Sequence, residues 1–566
     1  MELPGLAPRA TSLLAASALT LLLAAPPAPG AARAAGVTDP NAPVLVNDEN
    51  QRPAGYRLTG AQAQRIAARV PSVRAEVHRH RGAYAGEYTK GPGRWQVSWF
   101  TPTGKEIAQV YVDDATGKVT EAWTGFQVAW TMARGYPGAF GRRVNSLYVW
   151  LPLCVLFVAP FIPWRRRPSL LHLDLLVLLG FSISLAFFNH ALIGLSVPLA
   201  YPFLGYLLVR MLLLAGGRGR PREALRLLVP VSWLAIAVVF LVGFRVGLNV
   251  SNSNVIDVGY AGVIGADRLV HGKPLYGHWP RDITNGDTYG PVNYYAYVPF
   301  REIFGFSGGW DDLPAAHGAA ILFDLLTLLG LYVLGRRIRG PTLGVVLAYA
   351  WAAYPFTLYA LSSNSNDSLV AMLVVLALLV MRSAPARGAA AALAGFTKFA
   401  PLALAPLLLR GAGRWPRRRS LAVYGVALLA TTFAVFLPAL IDDNLRSFWN
   451  DSLRYQAQRG SPFSIWGLWG GLGLEQHFVQ GAAAALAIAV AFLPRGPRAP
   501  VQVAALGAAV LIAVQLGVSH WFYLYIVWFV PLVLVALLGA HPEAGPPEQS
   551  PQATAEPRRA PQVLVR

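Results

Sequence analysis

The sequence predicts a polytopic α-helical membrane protein with one small α+β domain ahead of its spans. Three observations predict this. Of 566 residues, 55% are hydrophobic and only 13% charged, more apolar side chain than a single soluble core of this length can bury. The apolar residues gather into runs of roughly 20, the length that crosses a bilayer as a helix. Between the runs, arginines fall in short clusters, so the formal charge of +20 reads as the positive-inside signature of cytoplasmic loops and not as a footprint for nucleic acid. The lone cysteine, Cys154, sits inside an apolar run. It excludes an internal disulfide and a cysteine-based metal cluster. No His/Cys/Asp ligand spacing argues for a metal, and no cofactor is expected.

Residues 1–36 carry Arg9, an apolar run over 13–25 and the small-residue stretch Ala32-Arg33-Ala34-Ala35, the pattern of a signal peptide, with an uncleaved signal anchor as the other reading. In either case the polar segment 37–142 is exported. Thr59 heads an amphipathic stretch over 61–70 that stops before Pro71, which predicts one helix. Alternating strands follow at 95–100, 107–112 and 119–123, separated by Thr103-Gly104 and by Asp114-Ala115-Thr116-Gly117. The run VYVDDATGKV after a tryptophan-containing strand resembles the PepSY domain, a small exported module. That resemblance implies a structural or partner-binding role, and no paired carboxylates or histidine cluster here demand catalysis.

The membrane domain is expected over 143–540. Candidate spans lie near 146–163, 170–190, 194–215, 226–246, 314–335, 341–361, 367–381, 420–440, 478–493, 499–518 and 520–539, about eleven by the length rule. With the small domain outside, the inner loops contain Arg165-Arg166-Arg167, the arginines of 218–226, Arg336-Arg337 with Arg339, Arg382 with Arg387, and Arg495 with Arg498, as the positive-inside rule asks. The segment 388–410 is apolar but basic on both flanks, so it is read as a re-entrant pair of half-helices broken near Gly395-Phe396-Thr397-Lys398 and Pro401. The tail 541–566, rich in Pro, Ala, Glu and Gln, reads as disordered cytoplasm.

Two outer loops, about 248–313 and 441–477, have the composition of sites and not of linkers. A helix over 256–270 would align Asp257, Tyr260, Ile264 and Arg268 on one face. The other reading of these residues is a helix cap at Asp257 and an interfacial tyrosine belt at Tyr289, Tyr294, Tyr295 and Tyr297. The runs DVGYAGVIGADRLVHGKPLYG and GDTYGPVNYYAYVPF resemble the first outer loop of the GT-C membrane glycosyltransferases, in particular the polyprenyl-phosphate-mannose-dependent branch of glycosyltransferase family 87. The matching positions are Asp257, Tyr260, Gly272, Pro274, Tyr276 and Tyr289. The chain departs from the family at Tyr289-Gly290-Pro291, where members carry a Tyr-Pro-Pro-like turn. SSNSNDSLVAMLVVLALL, with Asn366 and Asp367, and AGFTKFAPLALAPLLL, with Lys398, resemble two later family segments. Together the resemblance covers roughly 225–540.

Lys398 lies about ten residues from either basic flank, too deep to snorkel, where an unpaired charge costs several kcal/mol. Asp324 is a possible partner; the resemblance instead places the ammonium near the phosphate of a lipid-linked sugar. Arg454 and Arg459 run against the topological trend and suggest a phosphate ligand or a lipid headgroup. His520 opens the last span beside Trp521, Tyr523 and Tyr525, as an aromatic belt or as a sugar platform. The resemblance implies a multi-pass cell-membrane enzyme with its amino-terminal domain outside and its carboxyl terminus in the cytoplasm. It would pass a hexose, in this branch mannose, from a polyprenyl phosphate to a lipid or glycan acceptor, with Asp257 as base. Tyr260, Arg268, Tyr276, Tyr289, Asn366, Asp367, Lys398, Arg454, Arg459 and His520 would contact substrate. The rival class is a transporter or flippase of a lipid-linked glycan, which would also need an intramembrane charge and an aromatic cavity.

Overall fold

The structure, a computed structural model, describes residues 43–135, 142–162 and 169–542. The expected signal segment, the Arg165-Arg166-Arg167 cluster and the tail from 543 onward lie outside the described residues. The chain divides into two compact units, Met1–Thr131 and Met132–Arg566.

The smaller unit is an antiparallel meander of β1 (Pro43–Leu45), β2 (Tyr84–Lys90), β3 (Arg94–Phe100), β4 (Glu106–Asp113) and β5 (Val119–Thr124), in that spatial order. The register sets Trp95 opposite Val112, Val97 opposite Val110 and Trp99 opposite Ala108. Alternate residues of the two central strands therefore share one face, and this face packs with Ala63, Ala67 and Val73 to form the core. The helix expected after Thr59 spans Gly60–Ala67, opened by a capping box between Thr59 and Gln62. The expectation of a single helix is corrected: a second one runs Pro71–Arg79. Pro71 starts this helix and does not merely end the one before it, because at a first helical position its missing N–H is no loss and its fixed φ suits a start. Strands β1 and β2 also add to the three expected.

The turn residue Asp114 is buried and accepts from Arg57 N at 2.6 Å, Leu58 N at 2.9 Å and Trp95 Nε1 at 2.9 Å. It ties the segment entering the first helix to the central strand.

The larger unit is helical. Among the described residues, seven helices are long and apolar enough to cross a membrane: Leu170–Asn189, Ile193–Ala215, Val231–Asn252, Pro314–Ala353, Arg418–Ile441, Gly473–Phe492 and Pro500–Gly517. Shorter apolar helices occupy Leu147–Phe161, Asp367–Leu379, Ala400–Arg410 and Tyr523–Gly539. Pro314–Ala353 holds two of the expected spans and bends where Gly340 takes a φ of 78° just before Pro341, a left-handed conformation that suits glycine. The protein is a polytopic membrane protein with a small sheet domain.

The segment 384–410 folds as a hairpin. Ala384–Gly395 leads to a break, the short turn Ala400–Leu404 and the helix Ala405–Arg410. Arg387, at one end of it, donates from Nε to Leu408 O at 2.7 Å and from Nη1 to Met381 O at 2.6 Å, so both basic flanks meet and Lys398 lies at the opposite end. Asp324 is not the partner of Lys398. It is held by Arg245, whose Nε lies 3.1 Å from Oδ2, and Trp351 Nε1 donates to it at 2.9 Å. Arg245, passed over in the sequence because it lies within an apolar span, is the ion that makes Asp324 affordable there.

Two further helices, Asp257–Val270 and Pro291–Phe304, pack on each other. Gly259, Gly262 and Gly265 recur every third residue and leave one face of the first helix bare. A Cβ would fall 2.1 Å from Asn364 O at Gly259, 2.7 Å from the Tyr297 ring at Gly262 and 2.0 Å from the Tyr294 ring at Gly265. Tyr294 and Tyr297 are thus buried core residues, not members of an interfacial belt.

Replacing Asp114 by Ala would orphan two backbone donors and an indole N–H. We expect a loss of about 2–4 kcal/mol from the sheet unit, visible in the full chain as proteolytic cleavage within 43–131 at a lower temperature than in wild type. Unchanged cleavage would mean that these bonds are replaced by water at no cost.

Candidate active site

The close packing at Gly259 fixes the first turn of the Asp257–Val270 helix against the 362–366 segment. That segment is itself anchored: Asn364 Nδ2 donates to Ser253 Oγ at 2.8 Å and to Asn254 O at 3.0 Å, and Asn249 Nδ2 donates to Asn364 Oδ1 at 2.8 Å. Asp257 and Asp367 both begin helices, and this network sets one relative to the other.

Asp257 opens into a cavity of about 220 Å³ whose other walls are Ala261, residues 281–286 and Tyr289. It makes no ion pair among the described residues. Protein packed around Asp257 displaces part of its hydration and raises its pKa above the ordinary value; the Val258 N–H and the charges of Arg459 and Lys398 oppose the shift, and Asp367 adds to it.

Asp367 has a different setting. Its Oδ1 accepts from Lys398 Nζ at 2.6 Å and from Trp528 Nε1 at 2.8 Å, and its Oδ2 accepts from Ser365 Oγ at 2.7 Å. The Lys398 ammonium stands 5.7, 5.2 and 5.1 Å from the ring centroids of Tyr289, Tyr525 and Trp528. A carboxylate and three π faces offset a charge that apolar surroundings would otherwise expel. Tyr525 and Trp528 stack on each other with centroids 4.1 Å apart.

Of the remaining expected residues, Arg459 acts electrostatically on Asp257, Tyr289, Tyr525 and His520, so it belongs to the same group. His520 shares a hydrogen bond of 2.8 Å between its Nδ1 and Ser461 Oγ, and packs edge-on to Phe463. Asn366 is buried and donates from Nδ2 to Asn293 Oδ1 at 2.8 Å. Others support the site from outside it. Tyr276 is buried and donates to Tyr289 O at 3.2 Å. Tyr260 donates to Asp282 Oδ2 at 3.1 Å and stacks on Trp310 at 5.0 Å. Arg268 spends its donors on the carbonyls of Pro274, Gly277 and His278 at 2.6, 3.1 and 3.3 Å, which shapes the loop after its helix. Arg454 is exposed; of the two arginines, Arg459 is the one whose charge reaches Asp257.

Sequence reading passed over Trp528, Tyr525 as a site residue, and the cavity wall at 281–286. A signal existed for the first two. Three residues apart in the last apolar run, they fall on one helical face, but such pairs are common in apolar spans.

Residues 288–520 match the family model of glycosyltransferase family 87. Over that stretch the chain is similar to glycosyltransferase family 87. The family segment holds Tyr289, Asn366, Asp367, Lys398, Arg459 and, at its last position, His520, while Asp257 precedes it. The match supports the membrane-glycosyltransferase class expected from the motifs. Among solved structures, the crystal structure of ArnT from Cupriavidus metallidurans bound to undecaprenyl phosphate is similar at 18% identity and a TM-score of 0.40, over 55% of this chain and 60% of that one. The similarity therefore spans three-fifths of the ArnT chain. No curated protein matches.

In the larger unit, Lys398→Met would leave the Asp367 carboxylate buried without its cation. We expect a loss of about 3–5 kcal/mol in thermal unfolding of the reconstituted protein, and recovery of much of it in Lys398→Met/Asp367→Asn. Additive losses in the double variant would mean that the two side chains are not energetically coupled.

Proposed function

We propose that the protein transfers a hexose from a polyprenyl phosphate to a hydroxyl of a lipid or envelope glycan on the outer face of the membrane, with Asp257 as the base. The observation that carries this reading is the contrast between the two carboxylates. Asp367 is closed off by Lys398, Trp528 and Ser365, whereas Asp257 faces a cavity, has no ion-pair partner among the described residues and keeps its proton to higher pH than an ordinary aspartate. A carboxylate so placed is matched to accepting a proton near neutral pH. The family 87 stretch supports the sugar-transfer class, and the likeness of the first-loop motif to the polyprenyl-phosphate-mannose branch favours mannose. The arginine-rich loops between spans favour an exported small unit and a cytoplasmic carboxyl terminus.

In the reaction, the acceptor oxygen attacks the anomeric carbon as the bond from that carbon to the phosphate oxygen breaks. The bonding pair leaves on the phosphate, and the acceptor proton passes to Asp257. One direct displacement inverts the configuration at the sugar. The leaving phosphate gains negative charge, which preorganised cations stabilise better than water does. Arg459, whose charge acts on Asp257 and Tyr289, and Lys398, through its remaining N–H donors, are the cations available to the phosphate.

Asp257→Asn is expected to lower transfer of radiolabelled sugar from polyprenyl phosphate mannose by about 10²–10⁴-fold, with the glucose and arabinose equivalents run alongside. Since burial raises the Asp257 pKa, the basic form and the rate should rise with pH through a midpoint above the ordinary aspartate value of about 3.9. Equal transfer by wild type and Asp257→Asn would remove Asp257 as base. Movement of the intact lipid-linked sugar across the bilayer, with no transfer from any donor, would instead establish the transport reading.

A further inference from the structure

The cavity beside Asp257 has two kinds of wall. Tyr289 forms one side, and its ring also faces Lys398, so beyond it lie Asp367, Tyr525 and Trp528. The opposite wall is the loop 281–286. This loop is rigidly held. Asp282 is tied to Tyr260, which lies on the same helix as Asp257; Gly286 O accepts from Tyr294 Oη at 2.8 Å; and a Cβ on Gly286 would fall 2.3 Å from the Trp279 ring. Just past it, Asp287 O accepts from Ser452 Oγ at 2.7 Å, and Thr288 Oγ1 accepts from Gln456 Nε2 at 2.6 Å. Between these anchors, the side chains of Arg281, Thr284 and Asn285 are exposed, line the cavity and make no hydrogen bond among the described residues. The fold thus fixes the backbone of this loop and leaves three sets of polar side-chain groups uncommitted, all beside the one open carboxylate.

We propose that this chamber receives the acceptor, as an uncharged hydroxyl-rich unit about the size of one sugar ring, and that Arg281, Thr284 and Asn285 recognise it. The inference rests on the transfer reading for the word acceptor, but the chamber's chemistry stands by itself. A volume of about 220 Å³ falls below the roughly 300–1,000 Å³ of sites for drug-sized ligands and suits a single ring. Guanidinium, amide and hydroxyl groups offer both donors and acceptors, the complement of a set of hydroxyls. Among the lining residues, Asp257 and Asp282 stand against the one cation Arg281, which favours an uncharged unit over a phosphate or carboxylate. An anionic donor phosphate belongs on the far side of Tyr289, with Arg459 and Lys398.

The test is binding of free probes to the full chain in lipid nanodiscs, since glycoside detergents would compete. Saturation-transfer NMR with methyl α-mannoside, methyl α-glucoside and myo-inositol should show at least one of them bound by wild type. Arg281→Ala/Asn285→Ala should weaken that binding by about tenfold or more at an unchanged melting temperature, with Asn285→Ala alone as the second variant should the double one fold poorly. Mannose 6-phosphate should bind at least about tenfold more weakly than mannose. No neutral probe bound, equal binding by wild type and both variants, or tighter binding of the phosphorylated sugar would each overturn the proposal. Because the readout is binding, a chain that holds the neutral probes through Arg281 and Asn285 but transfers no sugar would refute the reaction alone.

Discussion

An ammonium at the end of an apolar hairpin can persist only if a counter-ion meets it, and the architecture of the larger unit follows from meeting Lys398. The counter-ion comes from Asp367, at the first turn of the Asp367–Leu379 helix, and the aromatic faces come from Tyr289 on one loop and from Tyr525 and Trp528 near the last span. Three separate stretches of chain therefore converge on the charge that the hairpin carries. A hairpin that reaches this point without crossing keeps its flanks together, which the bonds of Arg387 to Leu408 and Met381 accomplish. In a low-dielectric interior a buried pair of this kind contributes little net stability compared with an apolar filling, but removing one member is severe. Its value is positional: it fixes where the hairpin ends relative to Asp367, and hence relative to Asp257.

The two carboxylates show how environment divides one residue type into two tasks. Asp367 is saturated by an ammonium, an indole and a hydroxyl, which commits it to structure. Asp257 has its own helix N–H beside it and a cavity in front of it. The arginine and lysine near it moderate the effect of burial without reversing it. Both residues start helices, where the partial positive charge of the first turn favours a carboxylate, so helix position alone does not separate them. What separates them is which one an ammonium pairs with directly.

How much of this could be read from the sequence follows from the range of the forces involved. Spans, the broken hairpin and the helix start at Thr59 were legible because they rest on local hydropathy, on basic flanks and on a capping residue ahead of an amphipathic stretch. The Asp257–Val270 helix was legible for the same reason. Pro71 misled because proline is equally at home just after one helix and at the first turn of the next. The partner of Lys398 could not be read, because two buried aspartates were on offer and only the fold shows that Arg245 claims Asp324. Arg268 looked like a site residue from its helical face, but the loop that its guanidinium binds is defined only once 274–278 has folded back. The PepSY likeness of the smaller unit rests on its strand motif.

The glycines of the Asp257–Val270 helix connect packing to chemistry. Glycine within a helix costs roughly 1 kcal/mol relative to alanine, and a helix bearing Gly259, Gly262 and Gly265 bears that cost three times over. The return is approach: the first turn lies directly against Asn364 O, and the later turns lie against two buried tyrosine rings. Tyr294, one of those rings, also reaches Gly286 O at the end of the cavity loop, and Tyr260 on the same helix reaches Asp282 near its start. One helix thus presents the open carboxylate, holds one end of the loop facing it directly, and holds the other end through the tyrosine that its glycines admit. A shift of this helix would displace the Asp257 carboxylate and the loop 281–286 together, so their spacing is protected against the small motions that a membrane bundle undergoes.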